Sequence, residues 1–174
     1  DTPLPLIGGK GVFTKALDDA LINGEIDIAV HSFKDIPTEL TEGIALGAIL
    51  QRENPADVIV CRNGIDFFNN EKVIIATSSN RRKSQWLKRY PNHQMVDIRG
   101  NIGTRIQKLK ESNWDAAIFA AAGLIRLKLE HEIAQSLDWM LHAPAQGAVA
   151  VVYPEGDETI FTTLQGLHHL ETAA

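Results

Sequence analysis

The residues best suited to bind an anion lie in TSSNRR at residues 77–82, where a predicted strand passes into a predicted helix. Ser78 or Ser79 can cap this helix, and the free N–H groups of its first turn form the positive end of the helix dipole. Arg81 and Arg82 are unfavourable there unless a negative charge offsets them. The segment therefore predicts a bound carboxylate or phosphate, with two solvent-exposed arginines as the alternative.

A second group of arginines follows the next predicted strand, in IRGNIGTR at residues 98–105. Its two glycines let the backbone approach a ligand closely, and Arg99 and Arg105 flank the turn. Arg126 follows a third such strand, where a surface arginine on a short helix is the alternative. Because ligands bind beyond the carboxyl ends of strands in parallel α/β sheets, we expect these arginines to line one crevice.

Two segments nearer the amino terminus each add a lysine, and one adds a carboxylate. Lys10 lies in GGKG at residues 8–11, which lacks the spacing of a nucleotide P-loop, so ATP is not implied. HSFKD at residues 31–35 follows a predicted strand and places Lys34 beside Asp35. A carboxylate in a cationic cleft can stabilise a developing positive charge or transfer protons, and a solvated turn residue is the alternative.

The charge distribution also favours an anionic ligand. The net charge is -5, yet residues 72–110 contain ten of the 17 basic residues and one acid, Asp97, which gives a local balance of +9. The remainder carries seven basic and 21 acidic residues, a balance of -14. An acidic protein thus presents one electropositive region.

The composition excludes several classes of protein. With 44% hydrophobic and 22% charged residues, the 174-residue chain is typical of globular proteins. It contains no long apolar run and no basic-then-apolar segment at Asp1, so we expect neither a membrane-spanning helix nor a signal peptide. Cys61, the only cysteine, excludes an internal disulfide and fits a reducing compartment, so we expect a cytoplasmic protein without a membrane partner. His168 and His169 diverge on a predicted helix, so no metal site is expected. The start at Asp1 without methionine suggests a fragment.

Strands and helices alternate along the chain. Predicted strands cover residues 26–30, 44–50, 58–61, 73–77, 95–98, 115–120 and 148–152. Predicted helices cover about residues 12–23, 79–90, 102–109, 130–136 and 160–167. The alternation predicts an α/β fold with mixed, largely parallel sheets, and the polar segment at residues 51–57 predicts a boundary between two lobes.

Seven segments of the chain together resemble the porphobilinogen deaminase family. They occur in the family order and span nearly the whole chain, which makes the resemblance specific. The segments are residues 7–13, 29–37, 51–57, 77–82, 98–105, 121–126 and 146–148.

The resemblance implies a transferase of tetrapyrrole (haem) biosynthesis, which condenses four porphobilinogen molecules to hydroxymethylbilane and releases ammonia. Asp35 matches the family's catalytic aspartate, which stabilises the positive charge formed as ammonia leaves and assists proton transfer. The implied cofactor-binding residues are Lys34, Ser78, Ser79, Arg81, Arg82 and Arg105. The implied substrate-binding residues are Lys10, Arg99 and Arg126. The implied cofactor is dipyrromethane, held in the family by the cysteine of a Gly-Gly-Cys-type loop and not by a residue equivalent to Cys61.

The implied fold is that of the type II periplasmic binding proteins, followed by a third domain. Lobe 1 would comprise residues 1–53 and 144–168, lobe 2 residues 54–143, and residues 169–174 a stub leading to the third domain. The family's opening segment and third domain would lie outside this chain, so we expect an inactive, monomeric fragment. The family's usual Gly-Gln-Gly turn is Ala145-Gln146-Gly147 here, and Val152 stands where a glutamate is common.

Two other functions would also use the arginines. A two-lobed module that binds small anions without catalysis would need neither Asp35 nor Lys34. A nucleic-acid binder would place the basic segment on phosphates. Arginines at glycine-rich strand ends with few interleaved aromatic residues fit a small ligand better than a nucleic acid.

Overall fold

The computed structural model describes residues 14–70 and 72–174, which form two units. The first unit contains the described residues up to 53 together with residues 148–174. The second contains residues 54–147. No helix in the described part of the chain has the length and apolar character needed to cross a membrane.

The helices and strands follow one another closely in both units. In chain order the strands are β1 (Ala29–Ser32), β2 (Ile44–Ile49), β3 (Asp57–Cys61), β4 (Ile74–Ala76), β5 (Gln94–Val96), β6 (Ala116–Ala120), β7 (Gln135–Ser136) and β8 (Val149–Pro154). The α-helices are α1 (Lys15–Ile22), α2 (Asn80–Arg89), α3 (Ile102–Glu111), α4 (Ala121–Arg126), α5 (Glu158–Gln165) and α6 (Leu170–Ala173). Within the described residues, short 3-10 helices lie at Phe33–Asp35, Asp66–Asn69 and Glu130–Glu132.

A three-stranded antiparallel sheet of order β1-β8-β2 forms the centre of the first unit. Leu21 of α1 packs with Val152 of β8, whereas Leu164 of α5 packs with Val151 and Tyr153 of the same strand. Because successive strand residues point to opposite faces, α1 and α5 cover the two faces of this sheet. This is why β8 is a continuous apolar run rather than an alternating one.

A five-stranded sheet of order β5-β4-β6-β3-β7 forms the centre of the second unit. Trp86 of α2 packs with Ile59 on one face, and Leu109 of α3 packs with Val58 on the other. Trp86 is 0% exposed. Replacing such a buried aromatic residue with alanine costs about 3–5 kcal/mol of stability, so α2 is firmly attached to the sheet.

Parallel pairing is confined to β4, which runs parallel to both β5 and β6. The other described pairs of both sheets are antiparallel. The sheets are therefore mixed, as expected, but parallel pairs do not predominate among the described strands. A parallel pair needs a crossover of a dozen or more residues, usually with a helix, and α2 and α3 supply such crossovers between β4, β5 and β6.

The predicted helix at residues 130–136 is wrong. A 3-10 turn at Glu130–Glu132 is followed by β7, in which Gln135 pairs with Ile59 of β3. Ile133 and Leu137 are four positions apart, a spacing that also suits a helix. In the structure these two residues instead pack against the two faces of the sheet. A short helix that ends at Arg126, α4, directly follows β6, which agrees with the alternative considered for this arginine.

The last residues of the chain pack on the first unit. The backbone N–H of His169 donates to Ile49 O at 2.8 Å, and that of Arg52 donates to Thr172 Oγ1 at 3.1 Å. The short helix α6 (Leu170–Ala173) thus lies beside the end of β2.

Candidate carboxylate-binding site

Three strand ends of the second unit lie at one edge of its sheet. Because β5, β4 and β6 are neighbouring and parallel, their carboxyl ends meet there. The segments that leave this edge contain the predicted anion-binding side chains of this unit, Ser78, Ser79, Arg81, Arg82, Arg99, Arg105 and Arg126. The edge is therefore the candidate site in the second unit.

Ser78 connects two of these strand ends. Its hydroxyl donates to Ile98 O at 2.8 Å and accepts from Ile98 N at 3.0 Å, so both of its hydrogen-bonding functions are used within the protein. Ser79 caps α2, since its Oγ accepts from the backbone N–H of Arg82 at 3.4 Å. The two hydroxyls hold the loop and the helix start in place.

The anion beside Arg81 and Arg82 is a carboxylate of the chain itself. Asp57, the first residue of β3, is 0% exposed. Its Oδ1 accepts from Nε and Nη2 of Arg82 at 3.0 and 2.7 Å, and its Oδ2 lies 2.7 Å from Nη1 of Arg81. The negative charge that the sequence predicts at this helix start is thus present without a ligand.

Arg82 does not extend into solvent. It is 7% exposed, and its Nη1 donates to Ile118 O at 3.1 Å, so all three guanidinium nitrogens have partners inside the unit. The resemblance implies a cofactor contact for Arg82, and the structure places its guanidinium in the interior beside Asp57. A guanidinium without a counter-ion would be very costly in that position, which explains the pairing.

Asp57 remains ionised despite its burial. Burial by itself would raise the pKa of this carboxyl, but attraction to Arg82 and hydrogen bonds from Arg81, Arg82 and Gln146 outweigh it and hold the pKa below its usual value. Nε2 of Gln146 donates to Asp57 Oδ1 at 2.8 Å and to Pro55 O at 2.7 Å. Gln146, near the end of the second unit, is thereby hydrogen-bonded to Pro55 and Asp57, near its beginning.

The arginines of the second loop lie at the start of α3. Asn101 caps this helix by accepting from Thr104 N at 2.8 Å. Nε of Arg105 donates to Gly100 O at 2.6 Å, and Lys108 Nζ donates to Arg99 O at 3.0 Å. These bonds tether the side chain of Arg105 and the backbone at Arg99, both of which are half-buried residues.

Arg126 is an exposed residue at the end of α4. Its Nη2 donates to Gly147 O at 2.5 Å and so supports the turn at residues 145–147. Ala145 in that turn has a φ of 55°, in the left-handed region that favours glycine. Ala145, at a position where the resemblance implies a glycine, therefore adopts a strained backbone conformation.

Asp35 and Lys34 are both exposed residues in the 3-10 turn that directly follows β1 in the first unit. The turn itself is anchored, since Phe33 N donates to Ala148 O at 3.0 Å and Phe33 packs with Ile49 and Ala148. A rigid strand end thus presents two accessible charged side chains. Lys10 lies outside the described residues.

Cys61 is poorly suited to covalent chemistry. It ends β3 as a half-buried residue, and burial, together with the charge of Asp115, raises the pKa of its thiol to about 11. The thiolate is the nucleophilic form of cysteine, and it is scarce near neutral pH with such a pKa.

Sequence reasoning missed Asp57 and Gln146 as residues of the site. Asp57 was assigned to a polar boundary segment, whereas it is part of the strand that follows. One feature of the sequence could have indicated the role of Asp57: this acidic residue directly precedes the apolar run of residues 58–61. A carboxylate at the start of a buried strand needs a basic partner.

A comparison with protein families matches residues 1–162 to "Porphobilinogen deaminase, dipyromethane cofactor binding domain". The chain is 47% identical over 176 residues to porphobilinogen deaminase of Geobacter metallireducens, which covers 99% of the chain and 55% of that protein. It is 43% identical to the chloroplastic enzyme of Oryza sativa, covering 99% of the chain and 49% of the relative. The chain thus spans about half the length of the curated relatives that it matches.

Solved structures with the same fold include two proteins of low sequence identity. The BvgS periplasmic VFT2 domain of Bordetella pertussis matches with a TM-score of 0.51 and 18% identity, covering 92% of the chain and 68% of that domain. An ancestral cationic amino acid solute binding protein matches with a TM-score of 0.57 and 13% identity, covering 88% and 66%. The expected class, a mixed α/β fold like that of type II periplasmic binding proteins, is confirmed.

Proposed function

Because the chain belongs to the porphobilinogen deaminase family, we propose that it provides the cofactor-binding and substrate-binding units of a transferase. The reaction is the stepwise condensation of four porphobilinogen molecules to hydroxymethylbilane, with release of one ammonia at each addition. We further propose that the protein is monomeric and cytoplasmic. In the same proposal, lobe 1 comprises residues 1–53 and 144–168, and lobe 2 comprises residues 54–143.

The observation that carries this proposal is the set of arginines at the strand ends of the second unit. Each pyrrole of the substrate carries an acetate and a propionate, and guanidinium groups bind carboxylates through paired N–H donors. Arg81, Arg99, Arg105 and Arg126 start from segments at one sheet edge, within the part of the chain whose local charge is +9. We assign the carboxylates of cofactor, substrate and growing chain to these four residues.

The donor set at this edge fits a dipyrromethane cofactor. The acidic side chains of this cofactor need guanidinium partners. Among the described residues, the hydrogen bond and the ion pair of Arg81 both use Nη1, so its Nε and Nη2 can donate to a ligand carboxylate. When bound, the cofactor supplies the pyrrole chain to which substrate units are added. Cys61 does not suit its attachment, given the raised pKa of that thiol.

Asp35 is the catalytic residue of the proposal. Its exposed carboxylate, on a turn anchored by Phe33, can accept hydrogen bonds from pyrrole N–H groups and stabilise the positive charge that develops as ammonia leaves. It can also move the protons that each condensation releases. Lys34 beside it and Lys10 complete the proposed set as carboxylate partners.

The test is a pair of variants in the protein translated from the whole open reading frame that contains this chain. Asp35→Asn should lower the rate of ammonia release from porphobilinogen at least about 100-fold, as expected for loss of a charge-stabilising and proton-transferring group, while porphobilinogen still binds. Glu42→Gln, which changes another exposed carboxylate of the first unit, should leave the rate unchanged.

Two results would contradict the proposal. Porphobilinogen binding by the unaltered protein without ammonia release would favour a module that binds small anions without catalysis. Equal turnover in the Asp35→Asn variant would remove Asp35 from the mechanism. The 174-residue chain by itself should bind porphobilinogen without turnover, since its only cysteine is Cys61.

A further inference from the structure

We propose that Asp57 is a positioning residue, which holds Arg81 ready to bind one carboxylate of a pyrrole ligand. In the same arrangement Arg82 is the buried counter-ion of Asp57 and does not contact the ligand. The identity of the ligand rests on the proposed function, but the positioning of Arg81 rests on contacts within the second unit alone.

The first step is that all three guanidinium nitrogens of Arg82 already donate hydrogen bonds inside the unit. Nε and Nη2 donate to Asp57 Oδ1, Nη1 donates to Ile118 O, and the residue is 7% exposed. The burial of this ion pair leaves little of the guanidinium surface accessible to a ligand. Of the two neighbouring arginines, Arg81 is the one able to meet a carboxylate.

The second step is that one corner of the Arg81 guanidinium is fixed. Its Nη1 lies 2.7 Å from Asp57 Oδ2 and donates to Leu141 O at 2.5 Å. That carbonyl also accepts from Gln85 Nε2 at 2.9 Å, while Leu141 N donates to Gln85 Oε1 at 2.7 Å. The Arg81 side chain is 26% exposed, and its Nε and Nη2 form the paired donors that bind a carboxylate side-on.

The third step is the charge of the cluster formed by Asp57, Arg81 and Arg82. Two guanidinium groups and one carboxylate carry a net charge of +1, because the lowered pKa of Asp57 keeps that carboxyl ionised. Gln146, the third residue in contact with the Asp57 carboxylate, is neutral. One ligand carboxylate therefore neutralises the cluster, whereas it would leave an excess positive charge if Asp57 were absent.

A purely structural role for the buried pair makes a different prediction. Buried ion pairs are often replaceable by apolar residues of similar size without loss of stability, so stability alone gives no reason for this pair to affect ligand binding. If Asp57 positions Arg81, replacing the pair should leave the fold intact and weaken the binding of carboxylates. The two roles are thus separable by experiment.

The test is the double variant Asp57→Asn/Arg82→Met in the 174-residue chain. It removes one negative and one positive charge, so the cluster keeps its charge of +1, and it avoids the unpaired buried arginine that Asp57→Asn alone would leave. The matched control is Glu132→Gln/Lys110→Met, which removes an ion pair of 2.6 Å whose lysine side chain is 57% exposed. Both variants should keep the circular dichroism spectrum of the original chain.

Porphobilinogen affinity, measured by isothermal titration calorimetry, should fall about three- to tenfold in the Asp57→Asn/Arg82→Met variant. The reason is that Arg81 must then be ordered by the ligand rather than by the protein. Converting the porphobilinogen carboxylates to amides should weaken binding to the original chain more than binding to the variant. The control variant should bind both compounds as the original chain does. Equal affinities of the original chain and the Asp57 variant for both compounds would overturn the proposal.

A second readout needs no ligand. The NMR order parameter of the Arg81 Nε–H group should be near that of rigid backbone, about 0.85, in the original chain and fall below about 0.6 in the double variant. An unchanged order parameter would overturn the positioning role. Failure of the original chain to bind porphobilinogen would instead contradict the proposed function, and the order parameter would still decide the role of Asp57.

Discussion

Asp57 shows how a single buried carboxylate can decide the roles of two neighbouring arginines. By accepting from Nε and Nη2 of Arg82, it confines that guanidinium to the interior. By contacting only Nη1 of Arg81, it leaves the other two nitrogens of Arg81 for a ligand. Both arginines approach the carboxylate to 2.7 Å, but Arg82 contacts it through two nitrogens and is buried, whereas Arg81 contacts it through one nitrogen and stays 26% exposed.

The lowered pKa of Asp57 predicts a loss of stability in acid. A carboxyl whose pKa is lower in the folded state than its ordinary value of 3.8 stabilises the fold above that value, and this contribution disappears as the pH falls through the folded-state pKa. Urea unfolding between pH 6 and pH 3 should therefore show a steeper fall in the free energy of unfolding for the original chain than for Asp57→Asn/Arg82→Met. Parallel curves for the two proteins would contradict the assignment.

The strain at Ala145 predicts a stabilising substitution. With a φ of 55°, this alanine is in a conformation that costs about 1–2 kcal/mol for a residue with a Cβ atom. Ala145→Gly should raise the free energy of unfolding by about 0.5–1 kcal/mol, because relief of strain exceeds the added entropy of the unfolded chain. Ala143→Gly, in the same loop but without a positive φ, should lower it. Destabilisation by Ala145→Gly, measured by urea unfolding, would refute this account.

At the scale of elements, the candidate site depends on the way β4, β5 and β6 are joined. The two crossovers through α2 and α3 make these strands parallel, and parallel strands end at one edge. The caps of Ser79 and Asn101 then begin the helices at the same edge, which places Arg81 and Arg105 in first helical turns. The segments that carry the arginines share this edge because of the connectivity rather than because of their spacing in the sequence.

Ser78 joins two of these elements, and its removal should weaken both. Ser78→Ala leaves the partly buried N–H and C=O of Ile98 without their hydroxyl partner, so the free energy of unfolding should fall by about 1–2 kcal/mol. Ser84→Ala, at an exposed position within α2, should change it by less than about 0.5 kcal/mol. Equal stabilities of the two variants in urea unfolding would show that the hydroxyl of Ser78 does not connect the strand ends.

At the scale of the whole molecule, the proposed chemistry is divided between the two units. The second carries the segment of local charge +9 and the guanidinium groups, and the first carries Asp35 on a turn after an antiparallel strand. Carboxylate binding and charge stabilisation are therefore supported by separate hydrophobic cores. Variants of one function need not destabilise the other unit, which makes binding and turnover separately measurable.

Much of this organisation was predictable from the sequence. The alternation of apolar strands with amphipathic helices indicated an α/β fold, and the family motifs indicated which loops carry arginines. The predicted helix at residues 130–136 failed because four-residue apolar spacing also suits the segment that leads into β7. The prediction of largely parallel sheets was wrong because the direction of a strand depends on how the chain connects it to its neighbours. The periodicity of apolar residues does not specify those connections.

The amino-acid sequence is enough to show that arginines follow successive strand ends, because strand, turn and helix preferences act over a few residues. The difference between a buried Arg82 and a partly exposed Arg81 depends on the three-dimensional fold. Asp57 and Arg82 are 25 positions apart, and Gln146 is 89 positions from Asp57, so no local pattern relates them. These residues pair because a buried charge without a partner is costly. That cost arises only when the folded second unit places Asp57 and Arg82 together in its interior.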